Sequence, residues 1–405
     1  MAGMSYSATL SGDWERLRVI SAGICALILT AGIARFAYTP LLPIMRDEAG
    51  MSALTGGWLA TVNYVGYILG ALIASSIPAL WVKYRLYRLG LVLALVTTVA
   101  MGWTTDPVLW GVLRFLSGMS STTGLLLASG IVLNWLSQHG RKPELGLHFM
   151  GIGLGVMLSG LAVEAMAGRW AWDSQWEALA VLGLLFFVPA WIWMPVPPRD
   201  GGKGSVGGNG TTPDRTWVGL FFATYLCAGF GYVISATFIV AILARLPELT
   251  GLGNWIWVVV GFAAVPSSFL WDRLAAVMGS LGALALAYGI QIISILLSAL
   301  FQGVVPNLVG AVLFGGTFVG IVGLALTVVG RRFPTNPAKA MARLTIGYGV
   351  AQIAAPAFAG YIATATGSYR GALFLAAGMM VLGTVILLAM IGRERSARDV
   401  APMSE

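Results

Sequence analysis

Long uninterrupted apolar runs, separated by short polar loops, set the pattern of this chain. A helix needs about 20 mostly apolar residues to cross a bilayer. With that ruler twelve spans are predicted, near 19–44, 54–79, 86–105, 107–137, 143–167 and 174–196, then 216–244, 252–278, 280–302, 306–330, 338–366 and 370–392. The runs are continuous rather than alternating, which excludes a closed β-barrel. The first run, from about Val19, is too long for the apolar core of a signal peptide and has no small-residue cleavage site after it, so it reads as the first span.

Composition narrows the class. The 405 residues are 58% hydrophobic and 10% charged, against about 25% charged in a soluble domain. Such a chain cannot clothe a water-facing surface, so an all-α integral membrane protein is expected. Soluble enzymes, nucleic-acid binders and disordered scaffolds are set aside together. The net charge of +8 belongs to topology instead. Arg16, Arg18, Lys83, Arg85, Arg88, Arg141, Lys142, Lys203, Arg331 and Lys339 fall in one set of loops, whereas Arg46, Arg169, Arg245 and Arg370 fall in the other. By the positive-inside rule both termini are expected in the cytoplasm, and a multi-pass protein of the bacterial cytoplasmic (inner) membrane is the expected localisation.

The longest polar break, Pro197 to Pro213, is rich in Gly, Ser and Pro and reads as a flexible linker. It divides the chain into an N-terminal six-helix bundle (1–196), a cytoplasmic linker (197–215) and a C-terminal six-helix bundle (216–405). The halves echo one another. Ala31-Gly32-Ile33 recurs as Ala228-Gly229-Phe230, Trp58 as Trp255, and Gly151-Ile152-Gly153 as Gly347-Tyr348-Gly349, at a shared offset of about 197 residues. Two six-helix halves related by an axis along the membrane normal are the arrangement of the major facilitator superfamily.

Several stretches then carry a resemblance. Gly32-Ile33-Ala34-Arg35-Phe36-Ala37-Tyr38-Thr39-Pro40 in span one is joined by Asn63-Tyr64-Val65-Gly66-Tyr67 in span two and His148-Phe149-Met150-Gly151-Ile152-Gly153 in span five. Phe230-Gly231-Tyr232-Val233-Ile234-Ser235 in span seven and Gly347-Tyr348-Gly349-Val350-Ala351-Gln352 in span eleven complete the set. Together they resemble the YbfB/YjiJ-type group of major facilitator transporters. The resemblance implies two pseudo-symmetric six-helix halves and transport by alternating access. Arg114-Phe115-Leu116-Ser117-Gly118 in span four is similar to the superfamily's Arg-x-x-x-Gly core, with Ser117 where Gln is common. The acidic-basic motif usual after span two is degraded, since Ser75 to Arg88 holds no acid. Its counterpart after span eight survives at Asp272 and Arg273, which would serve as a gate.

One arginine lies where hydrocarbon is expected. Arg35 falls about 6 Å outward of the middle of span one, and an intramembrane charge is costly enough to mark a functional site. Its guanidinium suits a carboxylate or phosphate because it is planar and permanently charged. The opposing reading is an arginine bonded to helix carbonyls. Arg114 lies at a similar level, and spans one and four line the cavity in the resembled superfamily, so a paired role is weighed against the same carbonyl-bound reading. Tyr38, Tyr232, Ser235, Tyr348 and Gln352, with Tyr225, are candidate cargo contacts, and helix packing competes for each. His148 and Glu164 are candidate proton carriers, set against a packing histidine and an interface carboxylate. No span has a central Asp or Glu, which favours an anionic or zwitterionic cargo over a cationic drug.

The expected function is secondary transport of a small organic anion or amphipathic acid, coupled to protons, by a monomer that meets lipid. The alternatives are an exporter of hydrophobic compounds with structural arginines and a non-transporting sensor or scaffold. No nucleotide loop, metal spacing, cofactor motif or catalytic cluster is found in the sequence. Cys25 and Cys227, inside apolar runs, read as small buried apolar residues.

Overall fold

A computed structural model describes residues 2–141, 145–198, 214–243, 252–333 and 337–400. Most of the proposed linker, together with Lys142, Lys203 and Arg245, lies outside the described residues. No water is present in a bilayer core to satisfy peptide groups, so apolar runs of this length must bond internally as helices. The described residues contain helices, turns and no strands.

Among the described residues, eleven continuous helices are long and apolar enough to cross a membrane. In the first half they are α1 (Asp13–Glu48), α2 (Ala53–Ser76), α3 (Leu80–Trp103), α4 (Pro107–Gln138), α5 (Gly146–Met166) and α6 (Trp172–Trp193). The second half begins with α7 (Arg215–Leu243) and α8, a pair of helices, Gly253–Ala264 and Ser267–Met278, bent by 44°. It continues through α9 (Ser280–Leu300), α10 (Val304–Arg332), α11 (Arg343–Thr366) and α12 (Arg370–Glu394). Counting α8 as one span gives the expected twelve. The bend falls at Val265-Pro266, where Pro266 has no N–H to continue the helix.

Local chemistry sets the helix ends. Asp106 starts α4 by accepting from the Val108 and Leu109 amides at 2.7 and 3.1 Å, with Pro107 in the first helical position. Ser52 caps α2 by accepting from the Thr55 amide at 3.0 Å. The bundle's outside is apolar, with Val181, Leu185, Phe262 and Val277 among the exposed side chains, as a lipid-facing surface requires. Trp103, Trp170 and Trp193, near span ends, are exposed. Trp172 is instead buried edge-on against Trp110, and Trp81 lines a cavity.

Hydrocarbon does not drive helices together, so their close contacts rest on small residues and interhelical hydrogen bonds. Between α2 and α4, Gly66 lies against the Phe115 carbonyl and Gly118 against the Asn63 carbonyl, while Asn63 Nδ2 donates to the Arg114 carbonyl at 2.7 Å. The Cα atoms of Gly32 in α1 and Gly155 in α5 adjoin so closely that neither position has room for a Cβ. Gly229 of α7 stands against Tyr348 and Ala351 of α11, the corresponding crossing in the other half.

The halves meet along α2–α11 and α5–α8, and also where the last turns of α1 reach α7. Hydrogen bonds among the described residues join them. Thr39 Oγ1 donates to the Ala236 carbonyl at 2.6 Å, Thr61 Oγ1 to the Ile353 carbonyl at 2.9 Å, and Trp257 Nε1 to Ser159 Oγ at 3.3 Å.

Candidate functional site: a central cavity ending at Arg35

α1 is not a uniform α-helix. From Ile28 to Phe36 it winds as a π-helix, and the Ala37 amide reaches five residues back to the Gly32 carbonyl at 3.0 Å. Normal winding resumes with the Leu41 amide on the Ala37 carbonyl. A change from five-residue to four-residue bonding leaves a carbonyl over, and Pro40 offers no N–H to the Phe36 carbonyl. Polar groups of α4 meet this stretch. Ser117 Oγ donates to the Ala34 carbonyl at 2.7 Å. The Arg114 guanidinium donates to the Ala34 carbonyl at 3.3 Å and to the Arg35 carbonyl at 3.4 Å, and it covers the Tyr38 ring at 4.3 Å.

The extra residue in the winding turns Arg35 toward a cavity of about 980 Å³ between the halves. The cavity opens at the end of the bundle that carries Lys83, Gln138, Pro198 and Met341, here termed the linker end. It closes at Arg35, Tyr232 and Gln352, and beyond them the bonds between the halves, Thr39–Ala236 among them, hold the other end shut.

Arg35 is buried, and its guanidinium carbon lies 4.6 Å from the ring centres of Tyr64 and Tyr67 and 5.1 Å from that of Phe36. These ring faces offset part of the cost of holding a cation away from water. The Arg35 Nε–H has no hydrogen-bond partner. Opposite it, four near-parallel rings line the C-terminal half's wall. Tyr225 and Tyr348 stack at 4.4 Å, Tyr348 and Tyr232 at 5.9 Å, and Tyr232 and Phe318 at 5.6 Å. Tyr348 Oη and Gln352 Oε1 are buried without partners, and one helical turn of α11 separates them. Lys83 and Arg35 are the charged residues among the cavity's lining, which includes no carboxylate from the described residues.

The remaining sequence candidates lie elsewhere. Arg114 donates to the π-helix carbonyls, the alternative weighed against a paired cargo role, and is not among the cavity's lining residues. Tyr38 lies beyond the closed end and donates to the Gly56 carbonyl at 3.0 Å. Ser235 is buried away from the lining. His148 sits behind the wall, with Nε2 2.8 Å from Ser129 Oγ, and Ser129 does line the cavity. Glu164 is half-buried near the far end of α5 and outside the lining. Asp272 faces the first turn of α5 across the halves, where a Cβ on Gly146 would meet its Oδ2 at 3.8 Å. Arg273 packs on the Phe269 ring at 4.4 Å. Sequence reasoning gave no role to Tyr64, Tyr67 or Phe318. The three-residue spacing of the first two, which puts them on one helix face, was the available signal.

A twelve-helix bundle enclosing a central cavity shut at one end defines a polytopic membrane transporter. The family model described as "Uncharacterised MFS-type transporter YbfB" matches residues 27–388, and the chain belongs to that family of the major facilitator superfamily. Two curated relatives are each 25% identical. The uncharacterized transporter mfc1 of Schizosaccharomyces pombe aligns over 173 residues, 42% of this chain and 35% of that protein. The uncharacterized MFS-type transporter YceJ of Bacillus subtilis aligns over 172 residues, 42% and 43%. The chain thus spans well under half the length of the curated relatives it matches. Among solved structures, that of the nucleoside transporter NupG is similar with a TM-score of 0.74 and 13% identity, over 93% of this chain and 99% of that one. The human organic anion transporter MFSD10 (TETRAN) gives 0.68 and 14%, over 92% and 99%. At these identities the likeness is one of fold.

Proposed function

We propose that the protein is a secondary transporter that moves a small organic anion by alternating access, with Arg35 as the anion's binding group. One observation carries this reading: a permanently charged guanidinium, buried at the closed end of the cavity, has an unpartnered Nε–H and no carboxylate among the described lining residues. The ring faces offset only part of the cost of burying this charge, and an arriving carboxylate offsets more of it through a charge-assisted hydrogen bond. Tyr348 Oη supplies a second donor. Gln352 Oε1 supplies an acceptor suited to the same head group when it carries a proton, and this fits coupling to protons.

The basic loops favour a cytoplasmic linker end, which supports reading the described conformation as inward-open in a bacterial inner membrane. Rocking of the halves about α2–α11 and α5–α8 would close the linker end and break the Thr39–Ala236 bond.

The test is ligand-dependent thermal stability of the purified protein against a panel of metabolite acids, repeated on Arg35→Ala. Binding adds RT ln(1 + [L]/Kd) of stability. The expected outcome is stabilisation by acids that vanishes in Arg35→Ala. Equal stabilisation of the folded variant, or stabilisation by uncharged hydrophobic compounds alone, overturns the anion reading in favour of an exporter with structural arginines.

A further inference from the structure

The cavity around Arg35 also restricts what the anion carries. Its C-terminal wall is aromatic over a continuous stretch, Tyr225, Tyr348, Tyr232 and Phe318, with successive rings 4.4 to 5.9 Å apart and 20° to 26° from parallel. Three different helices, α7, α10 and α11, contribute these rings, so their alignment comes from tertiary packing rather than from one helix's repeat. On the N-terminal side Phe36 and Tyr67 line the cavity with the guanidinium between their rings. A cargo whose acidic group meets Arg35 therefore has ring surface on both sides.

The charge pattern bounds the cargo further. Lys83, the other lining cation, begins α3 at the open end beside Trp81, and Arg35 is at the closed end. A short dicarboxylate bound at Arg35 would leave its second carboxylate against aromatic and aliphatic groups, where an unpaired charge is costly.

We propose that the cargo is a monoanionic aromatic carboxylic acid of the benzoate type, with its carboxylate at Arg35 and its ring against the Tyr348–Tyr232–Phe318 wall. This rests on the anion reading of Arg35. Aromatic pairs prefer offset-stacked or edge-to-face geometry and bind more strongly than their buried area alone implies. An aromatic ring should therefore outbind its saturated counterpart of similar size.

The experiment measures the affinities of benzoate, cyclohexanecarboxylate and succinate for the full-length protein in nanodiscs by calorimetry, for wild type, Arg35→Ala and Tyr232→Leu. The expected wild-type result is benzoate at least threefold tighter than cyclohexanecarboxylate, and succinate at least tenfold weaker than benzoate. Tyr232→Leu should lose the preference for benzoate over cyclohexanecarboxylate while still binding both. Equal or tighter binding of cyclohexanecarboxylate or succinate, still dependent on Arg35, overturns the aromatic assignment and leaves the anion reading standing. Absence of Arg35-dependent binding for all three acids overturns both. The wild-type comparison decides the matter by itself if Tyr232→Leu does not fold.

Discussion

Thr39 and Ala236 are 197 positions apart, the offset at which the two halves of the sequence echo one another, and they are joined by a 2.6 Å hydrogen bond. Equivalent residues of two halves can touch only beside the pseudo-twofold axis, so this bond marks where the axis leaves the closed end of the bundle. One helical turn earlier, the same offset pairs Arg35 with Tyr232, and both line the closed end of the cavity. The duplication thus supplied one site from two related segments, a cation from the first and an aromatic hydroxyl from the second.

Thr39→Val keeps the shape of the side chain and removes the bond. A single hydrogen bond contributes about 0.5–1.5 kcal/mol, which corresponds to roughly a 2- to 12-fold change in a two-state ratio. The expected outcome is a larger population open at the far end, read as a longer component in the electron–electron spin distance between labels at Asp47 and Ser368. An unchanged distribution would show that the bond does not hold this end shut.

Arg114 and Ser117 act on Arg35 through the backbone. Ser117→Ala removes the 2.7 Å bond to the Ala34 carbonyl. Arg114→Lys retains the charge but loses the fork that reaches two carbonyls at once. Each variant should cost on the order of 1 kcal/mol of stability. Each should also weaken cargo binding by roughly 3- to 10-fold, about 0.7–1.4 kcal/mol, although neither residue lines the cavity. Melting temperature and affinity measured on the same preparations check this. A loss of stability with unchanged affinity would reduce both residues to packing.

These residues show what a sequence can and cannot carry. The twelve spans were legible because a bilayer imposes length and apolarity on every helix, and Arg35 was legible because a charge there is anomalous. Arg114 looked equivalent by the same criterion. Its different role depends on the π-helix of α1, which arises from one extra residue in the winding and has no signature in apolar periodicity. The aromatic wall was only partly visible. Tyr225, Tyr232 and Tyr348 were candidates one at a time, but their stacking with Phe318 needs three helices brought together. Ser235 and Tyr38 have suitable chemistry and the wrong direction, which sequence position alone does not report.

Gly57 tests the hinge between the halves. A Cβ there would lie 2.6 Å from the Pro356 carbonyl across α2–α11, and backbone cannot move aside cheaply. Gly57→Ala should cost about 1–3 kcal/mol through overpacking and lower the transport rate. Gly289→Ala in α9, where a Cβ meets nothing within 4 Å, should leave transport unchanged and stabilise by up to about 1 kcal/mol through helix propensity. Equal melting temperatures and transport rates for the two variants would show that α2–α11 tolerates separation.

His148 touches the cavity wall through Ser129 and is the candidate there for proton movement. Ser129 Oγ donates to the Leu125 carbonyl at 2.7 Å, so its lone pairs face His148 Nε2 at 2.8 Å, and Nε2 then carries the hydrogen. That leaves Nδ1 as an acceptor, and it is buried without a partner. A proton arriving at Nδ1 would make both ring nitrogens donors, with Ser129 the contact between the charged ring and the cavity. His148→Gln retains a side-chain donor for Ser129 and cannot take up the proton. The expected outcome is a folded protein that binds its cargo but no longer drives uptake with an imposed pH gradient. Proteoliposome flux with and without the gradient measures the loss. Gradient-driven uptake at the wild-type rate in His148→Gln would remove this histidine from the coupling path and leave the cargo's own carboxyl group as the proton's carrier.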